Sequence, residues 1–116
     1  MIMRKLPKIE LHLHHEGAAP PSFIQQLAAE KNVDLSGIFK ANGDYSFSTF
    51  NEFLSTYEAA CQVLKEPEDF HRLTLSILEK SAENGVIYTE VVISPDFWGG
   101  GDLTAWREYL AAIESA

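Results

Sequence analysis

Apolar and polar residues alternate with period two from Ile9 to His14 ("IELHLH"), which predicts a short strand. Pro7 stands just before it, where a strand start tolerates proline. The pattern then changes to helical spacing: Pro20-Pro21 opens a helix to about Lys31, with Phe23, Ile24, Leu27 and Ala28 on one face. Residues 32–48, with Gly37 and Asn42-Gly43, predict a loop holding a short helical turn. Thr49, followed three positions later by Glu52, has the form of a capping box and predicts a second helix. Its apolar face is Phe50, Phe53, Leu54, Tyr57, Cys61 and Leu64. Pro67 suits the first turn of a third helix, in which Phe70, Leu73, Ile77 and Leu78 recur until Asn84-Gly85, with Gly85 as a left-handed cap. The run "VIYTEVVIS", β-branched and aromatic almost throughout, predicts a strand of a parallel sheet covered on both faces and closed by Pro95. Beyond Gly99-Gly100-Gly101, Asp102 caps a fourth helix in which Leu103, Trp106, Leu110 and Ile113 share a face.

The order strand, helices, strand, helix predicts an α/β protein with parallel strands. Two parallel strands do not make a stable sheet, because each needs neighbours and helices over both faces. Residues 1–116 are therefore expected to form a single incomplete domain. The last helix strengthens that expectation, since it reaches Ala116 with no stop signal. The remaining partners would come from downstream sequence or from other copies of the chain, so self-association in isolation is expected of its exposed strand edges and apolar helix faces.

Composition narrows the function classes. The chain has 116 residues, 46% hydrophobic and 22% charged, which suits one globular domain at most. A formal net charge of -8 without a Lys/Arg cluster argues against nucleic-acid binding and favours a small neutral or cationic substrate. Neither the apolar run of a signal peptide nor about 18 consecutive apolar residues occurs, so no membrane association and a cytoplasmic location are expected. A single cysteine, Cys61, excludes an intrachain disulfide and a Cys-x-x-Cys zinc site. Its helical neighbours predict a buried, small apolar role.

The chemistry is concentrated in "ELHLHHEGA", residues 10–18. In a strand, residues i and i+2 point to the same side, so His12 and His14 project together while His15 points away. Two imidazoles on one face can share a divalent ion, and zinc in a catalytic site adds further ligands and a water whose pKa falls to roughly 7. A His-x-His pair alone is a weak signal, equally satisfied by two polar residues on a half-exposed strand. The surrounding apolar strand pattern favours ligands, because buried unpaired imidazoles are costly.

These residues carry a resemblance. "PKIELHLHHEGA" resembles the N-terminal signature of the metal-dependent adenosine deaminase family, within the amidohydrolase superfamily. "STFNEFLSTYEAA" resembles the family's helical segment over the substrate cleft, and "AENGVIYTEVVISPDF" its second barrel strand. The resemblance implies that the chain is the N-terminal fragment of a (β/α)8 TIM-type barrel, a fold of about 250 residues or more, of which it supplies two strands plus helices. It implies that His12 and His14 are ligands of one Zn2+, that Glu16 hydrogen-bonds a ribose hydroxyl, and that Gly17 lets substrate approach the backbone. It assigns Phe53, Leu54 and Tyr57 to an apolar gate that shields the purine, the alternative for each being plain helix core. Ser94 matches a serine after the second strand. Val92 stands where some relatives carry Arg, and His15 where most carry Leu. The latter puts a polar ring beside the metal site that could donate a hydrogen bond, compete for the ion, or have been introduced.

The family reaction is hydrolytic deamination of a 6-aminopurine by zinc-bound hydroxide. It also needs a third metal-binding His, a metal-binding Asp and a proton-shuttling Glu. No His-Ala-x-Glu or Asp-Asp-Pro stretch of the kind the family uses occurs here, so no catalytic residue is assigned and the isolated chain is expected to be inactive. A purine nucleoside or base is the expected small-molecule partner, with Glu16 tilting the choice toward a nucleoside. One rival is a dihydroorotase-like amidohydrolase, against which Glu16 counts because it would repel a carboxylate. The other is a non-catalytic, self-associating metal-binding fragment. The cytidine-deaminase type of zinc site is excluded by the missing Cys pair.

Overall fold

Local signals close most of the elements where the sequence places them. The computed structural model describes residues 2–94 and 102–116. These form α1 (Ile2–Lys5), β1 (Lys8–His14), α2 (Pro21–Glu30), α3 (Phe50–Cys61), α4 (Pro67–Glu83), β2 (Val86–Val92) and α5 (Leu103–Ser115), with single 3-10 turns at Glu16–Ala18 and Ser36–Ile38. Prolines stand in the first turns of α2 and α4. At α3 the capping box is complete: Glu52 N–H donates to Thr49 Oγ1 at 3.2 Å, and Thr49 N–H donates to Glu52 Oε2 at 3.3 Å. Asp69 plays a matching part at the start of α4, where its Oδ2 accepts from the backbone N–H groups of Lys65 and Glu66. Gly85 ends the α4 segment with φ +77°, and a Cβ there would lie 2.5 Å from the Leu6 carbonyl oxygen, so only glycine fits.

β1 and β2 pair in parallel, with Lys8 opposite Val86 and His14 opposite Val92. The α/β class with parallel strands is therefore observed. One buried cluster fills the helical side, with Phe23, Ile24 and Leu27 of α2, Val63 and Leu64 after α3, and Phe70, Leu73 and Ile77 of α4. Each such side chain contributes roughly 1.5–3 kcal/mol on burial. The Arg72–Glu30 and Lys31–Asp69 ion pairs join α2 to α4. α5 docks on α4 through the Phe70–Tyr109 ring contact, 4.9 Å between centroids, and through His71 Nδ1, which lies 2.8 Å from Ser115 Oγ. No helix among the described residues is long and apolar enough to cross a membrane.

Several expectations are corrected. α1 was not foreseen, being too short to show periodicity. β2 ends at Val92, leaving Ile93 and Ser94 outside the strand. It is not covered on both faces: Ile87 is 74% exposed, and Ile9, Leu11, Tyr88 and Val91 are exposed too, because a two-stranded sheet lacks the neighbours that would bury them. The buried side of α3 is Thr56 and Ala60, not its large apolar residues, and Phe50 is 73% exposed. Leu78 of α4 and Leu103 of α5 are exposed, whereas Trp106, Tyr109 and Ile113 pack on the core. Pro95 and Gly99-Gly100-Gly101 lie outside the described residues.

Candidate active site

At the C-terminal end of β1, His12 and His14 follow strand parity, whereas His15 lies past the strand in a right-handed helical conformation, φ -58° and ψ -55°. His12 and His14 lie on one side with ring centroids 5.1 Å apart, and both are exposed. His15 is only 2% exposed. Its Nε2 lies 2.8 Å from Thr74 Oγ1 on α4. Burial lowers the pKa of this imidazole, an effect that the neighbouring Glu16 partly opposes. The ring is thus packed against α4 and does not sit beside the other two histidines.

Glu16 is also 2% exposed. Its Oε1 accepts a 2.6 Å hydrogen bond from the Tyr57 hydroxyl on α3, while its Oε2 is buried with no hydrogen-bond partner among the described residues. Burial and the Glu16 carboxyl raise the Tyr57 pKa, which keeps the phenol protonated and able to donate. Gly17 makes this contact possible: a Cβ at that position would meet Tyr57 Cε2 at 2.5 Å. In this structure the space that glycine leaves open is filled by the Tyr57 ring.

Beside the histidine pair runs an apolar groove of about 540 Å³, lined by His14, Gly17, Phe50, Phe53, Leu54, Tyr57 and Ser94 among others. Phe53 of α3 is the hub of an aromatic cluster, with ring contacts to Phe47, just before the helix, and to Phe50 and Tyr57 on it, at 5.1–6.3 Å. Behind the Tyr57 ring, a smaller cavity of about 40 Å³ touches Glu16, Tyr45, Phe47 and Thr56. Of the site residues expected from sequence, His14, Gly17, Phe53, Leu54, Tyr57 and Ser94 meet at the groove, with His12 and Glu16 immediately adjoining through His14 and Gly17. Phe50, Phe53, Leu54 and Tyr57 of the expected α3 face belong to this groove, whereas Leu64 joins the core.

Two contributors escaped sequence reasoning. Phe50 appeared only as a helix-face residue. Thr74 carried a readable signal, since it falls at helical spacing with Phe70, Leu73 and Ile77 and so places a hydroxyl in an apolar stripe. Cys61 is half-buried with its thiol pushed up to about 12, chiefly by burial, which suits a packing role and not a nucleophile.

Two imidazoles with accessible nitrogens on one strand fit a divalent metal such as zinc. No group of three or more His, Cys, Asp or Glu side chains able to hold a metal occurs among the described residues. The described residues thus form an α/β protein in which the first of two parallel strands ends in an exposed histidine pair beside an apolar groove. The chain belongs to the adenosine deaminase family, whose model matches residues 7–115. It is 45% identical over 108 residues to an adenine deaminase of Agrobacterium fabrum (strain C58), covering 93% of this chain and 33% of that protein. An adenine deaminase of Rhizobium rhizogenes is 43% identical over 91 residues, with 78% and 28% covered. The crystal structure of adenine deaminase from Arthrobacter aurescens superposes with a TM-score of 0.73 at 28% identity, covering 94% of this chain and 35% of that one. The apo N6-methyl-AMP deaminase from Arabidopsis thaliana shares the fold, with a TM-score of 0.70 at 24% identity over 96% of this chain and 33% of its own. The chain spans about a third of the length of the relatives it matches.

Proposed function

We propose that this chain supplies the first strands and helices of a (β/α)8 hydrolase that deaminates a 6-aminopurine, with adenine as its first substrate. The observation that carries the reading is the meeting of His14, Gly17, Phe53, Leu54, Tyr57 and Ser94 along one apolar groove at the end of β1. A site at the C-terminal end of a strand is the general arrangement of such barrels. His12 and His14 would hold a divalent metal, Zn2+, which when bound supplies an activated water at neutral pH. The aromatic cluster around Phe53 offers flat apolar walls to a purine and excludes water from it. Glu16, held by Tyr57, presents Oε2 as an acceptor for a donor group of the ligand. Adenine is favoured over adenosine because Tyr57 already occupies Oε1 of Glu16 and the space beside Gly17, and because the relatives at 43–45% identity are adenine deaminases.

The remaining ligands and the proton shuttle would lie outside this chain, so the isolated chain is inactive and associates through its exposed strands. The test is ammonia release by the full-length protein from adenine and from adenosine, before and after chelation and zinc restoration. Adenine turned over preferentially, lost on chelation and regained with zinc, is the expected result. Turnover of dihydroorotate but of neither purine would overturn the reading, and hypoxanthine formation by residues 1–116 alone would overturn the inactivity.

A further inference from the structure

Glu90 is the one charged residue of β2, in a run of β-branched and aromatic side chains, and the strand pairing fixes the face it occupies. His14 pairs with Val92, and paired residues of adjacent strands share a face. Glu90 stands two positions before Val92 in the same strand, so it lies on that face as well. The Tyr88 hydroxyl, two positions earlier again, donates to Glu90 Oε1 at 3.1 Å, as side chains on one face can. The opposite face belongs to Leu13, which pairs with Val91 and packs against the helical core. His12, His14, Tyr88 and Glu90 therefore face away from the helices, and all four are exposed. Between the pairs Glu10–Thr89 and Leu13–Val91 the register slips, so that Leu11 and His12 of β1 stand against Glu90 alone.

In the barrel proposed above, this face is the packed interior. A carboxylate enclosed there needs partners, because an uncompensated buried charge is strongly disfavoured. Tyr88 supplies one hydrogen bond. Of the two β1 residues set against Glu90, Leu11 has no side-chain donor and His12 has a ring N–H. We infer that Glu90 is a positioning residue for the histidine pair: with the barrel closed, its carboxylate accepts from the His12 ring nitrogen that the metal leaves unused. The inference rests on the proposed metal role of His12 and His14. A carboxylate behind a metal-binding imidazole fixes its tautomer and orientation and raises its basicity. Glu90 is not itself a third ligand, since no three His, Cys, Asp or Glu side chains among the described residues come together to hold an ion. The slip in register serves this placement, as irregularities of pairing beside a site re-aim side chains.

The experiment uses the full-length protein and reads three quantities: zinc affinity by competition with a chromophoric chelator, the visible absorption of the cobalt-substituted form, and the melting temperature of the metal-free form. Glu90→Leu, which removes the acceptor, is compared with wild type, with Glu90→Gln, which keeps an amide oxygen without the charge, and with His12→Ala. Loss of a carboxylate behind a metal-binding His lowers metal affinity roughly 10- to 100-fold. We expect a loss in that range for Glu90→Leu, a smaller one for Glu90→Gln, and a changed cobalt spectrum in both. If Glu90→Leu does not fold, the nearly isosteric Glu90→Gln carries the test with the same sign expected. A lower melting temperature with unchanged zinc affinity and cobalt spectrum would show a merely structural carboxylate and overturn the inference. Zinc binding abolished as fully as by His12→Ala would make Glu90 a ligand and overturn the positioning role. Wild-type protein that binds no zinc overturns the metal reading itself, whereas zinc held by wild type and by both Glu90 variants alike overturns this inference alone.

Discussion

The helical and sheet sides of this chain differ in how completely they satisfy themselves. On the helical side Phe23, Ile24, Leu27, Val63, Phe70 and Leu73 bury one another. On the sheet side Ile9, Leu11, Ile87 and Val91, no less apolar, stand in solvent. The difference lies in geometry rather than composition. Helices can fold their apolar stripes onto each other within one stretch of chain, whereas a parallel strand needs partners brought by distant chain. The site lies at the seam, with its histidines on the sheet and its apolar walls on α3.

Substitutions that probe each side should separate by magnitude. Phe70→Ala empties the centre of the helical cluster and should cost about 3–5 kcal/mol, enough to unfold the chain, as followed by circular dichroism in urea. Gly17→Ala acts at the seam. Its methyl would displace the Tyr57 ring, an overpacking worth about 1–3 kcal/mol. It should break the Tyr57–Glu16 hydrogen bond and, in the full-length protein, raise KM for adenine more than it lowers kcat. A Gly17→Ala protein with wild-type KM would detach Tyr57 and Glu16 from substrate binding. Thr49→Ala removes the α3 cap and should cost about 1 kcal/mol, read as a shift of the urea midpoint. Ile87→Ala should change the stability of this chain by less than about 0.5 kcal/mol, because the side chain is already in water. The same substitution in the full-length protein should cost several times more. Equal small effects in both would show that the sheet is not completed there, which would break the comparison. Sedimentation of residues 1–116 sharpens it further: association is expected, and Ile87→Lys should reduce it.

Much of the site was legible because its signals are local. Parity within one strand placed His12 and His14 on one side, whereas His15 lies past the end of β1 in the following turn, where parity no longer applies. A hydroxyl residue three positions before a glutamate announced α3, and Gly85 announced the end of α4. Other positions stayed undecided where the same pattern serves two ends. The apolar face of α3 reads identically as core or as groove wall, and only the placement of β1 beside it decides that Phe50, Phe53 and Leu54 line a groove. Leu78 and Leu103 keep helical spacing yet stand exposed among the described residues.

By itself, then, the order of residues determined the elements, their caps, the α/β class and the histidine pair, since each rests on interactions within a few positions of chain. The tertiary structure decided what those side chains meet. Glu16 gained Tyr57 across 41 positions, and Gly17 proved to be small for the sake of that ring. His15, ambiguous as a third imidazole, acquired a partner on α4 that no spacing rule connects to it. Such pairings depend on how helices dock against the strand end, and docking is set by the shape of the whole packed core, which no local pattern encodes.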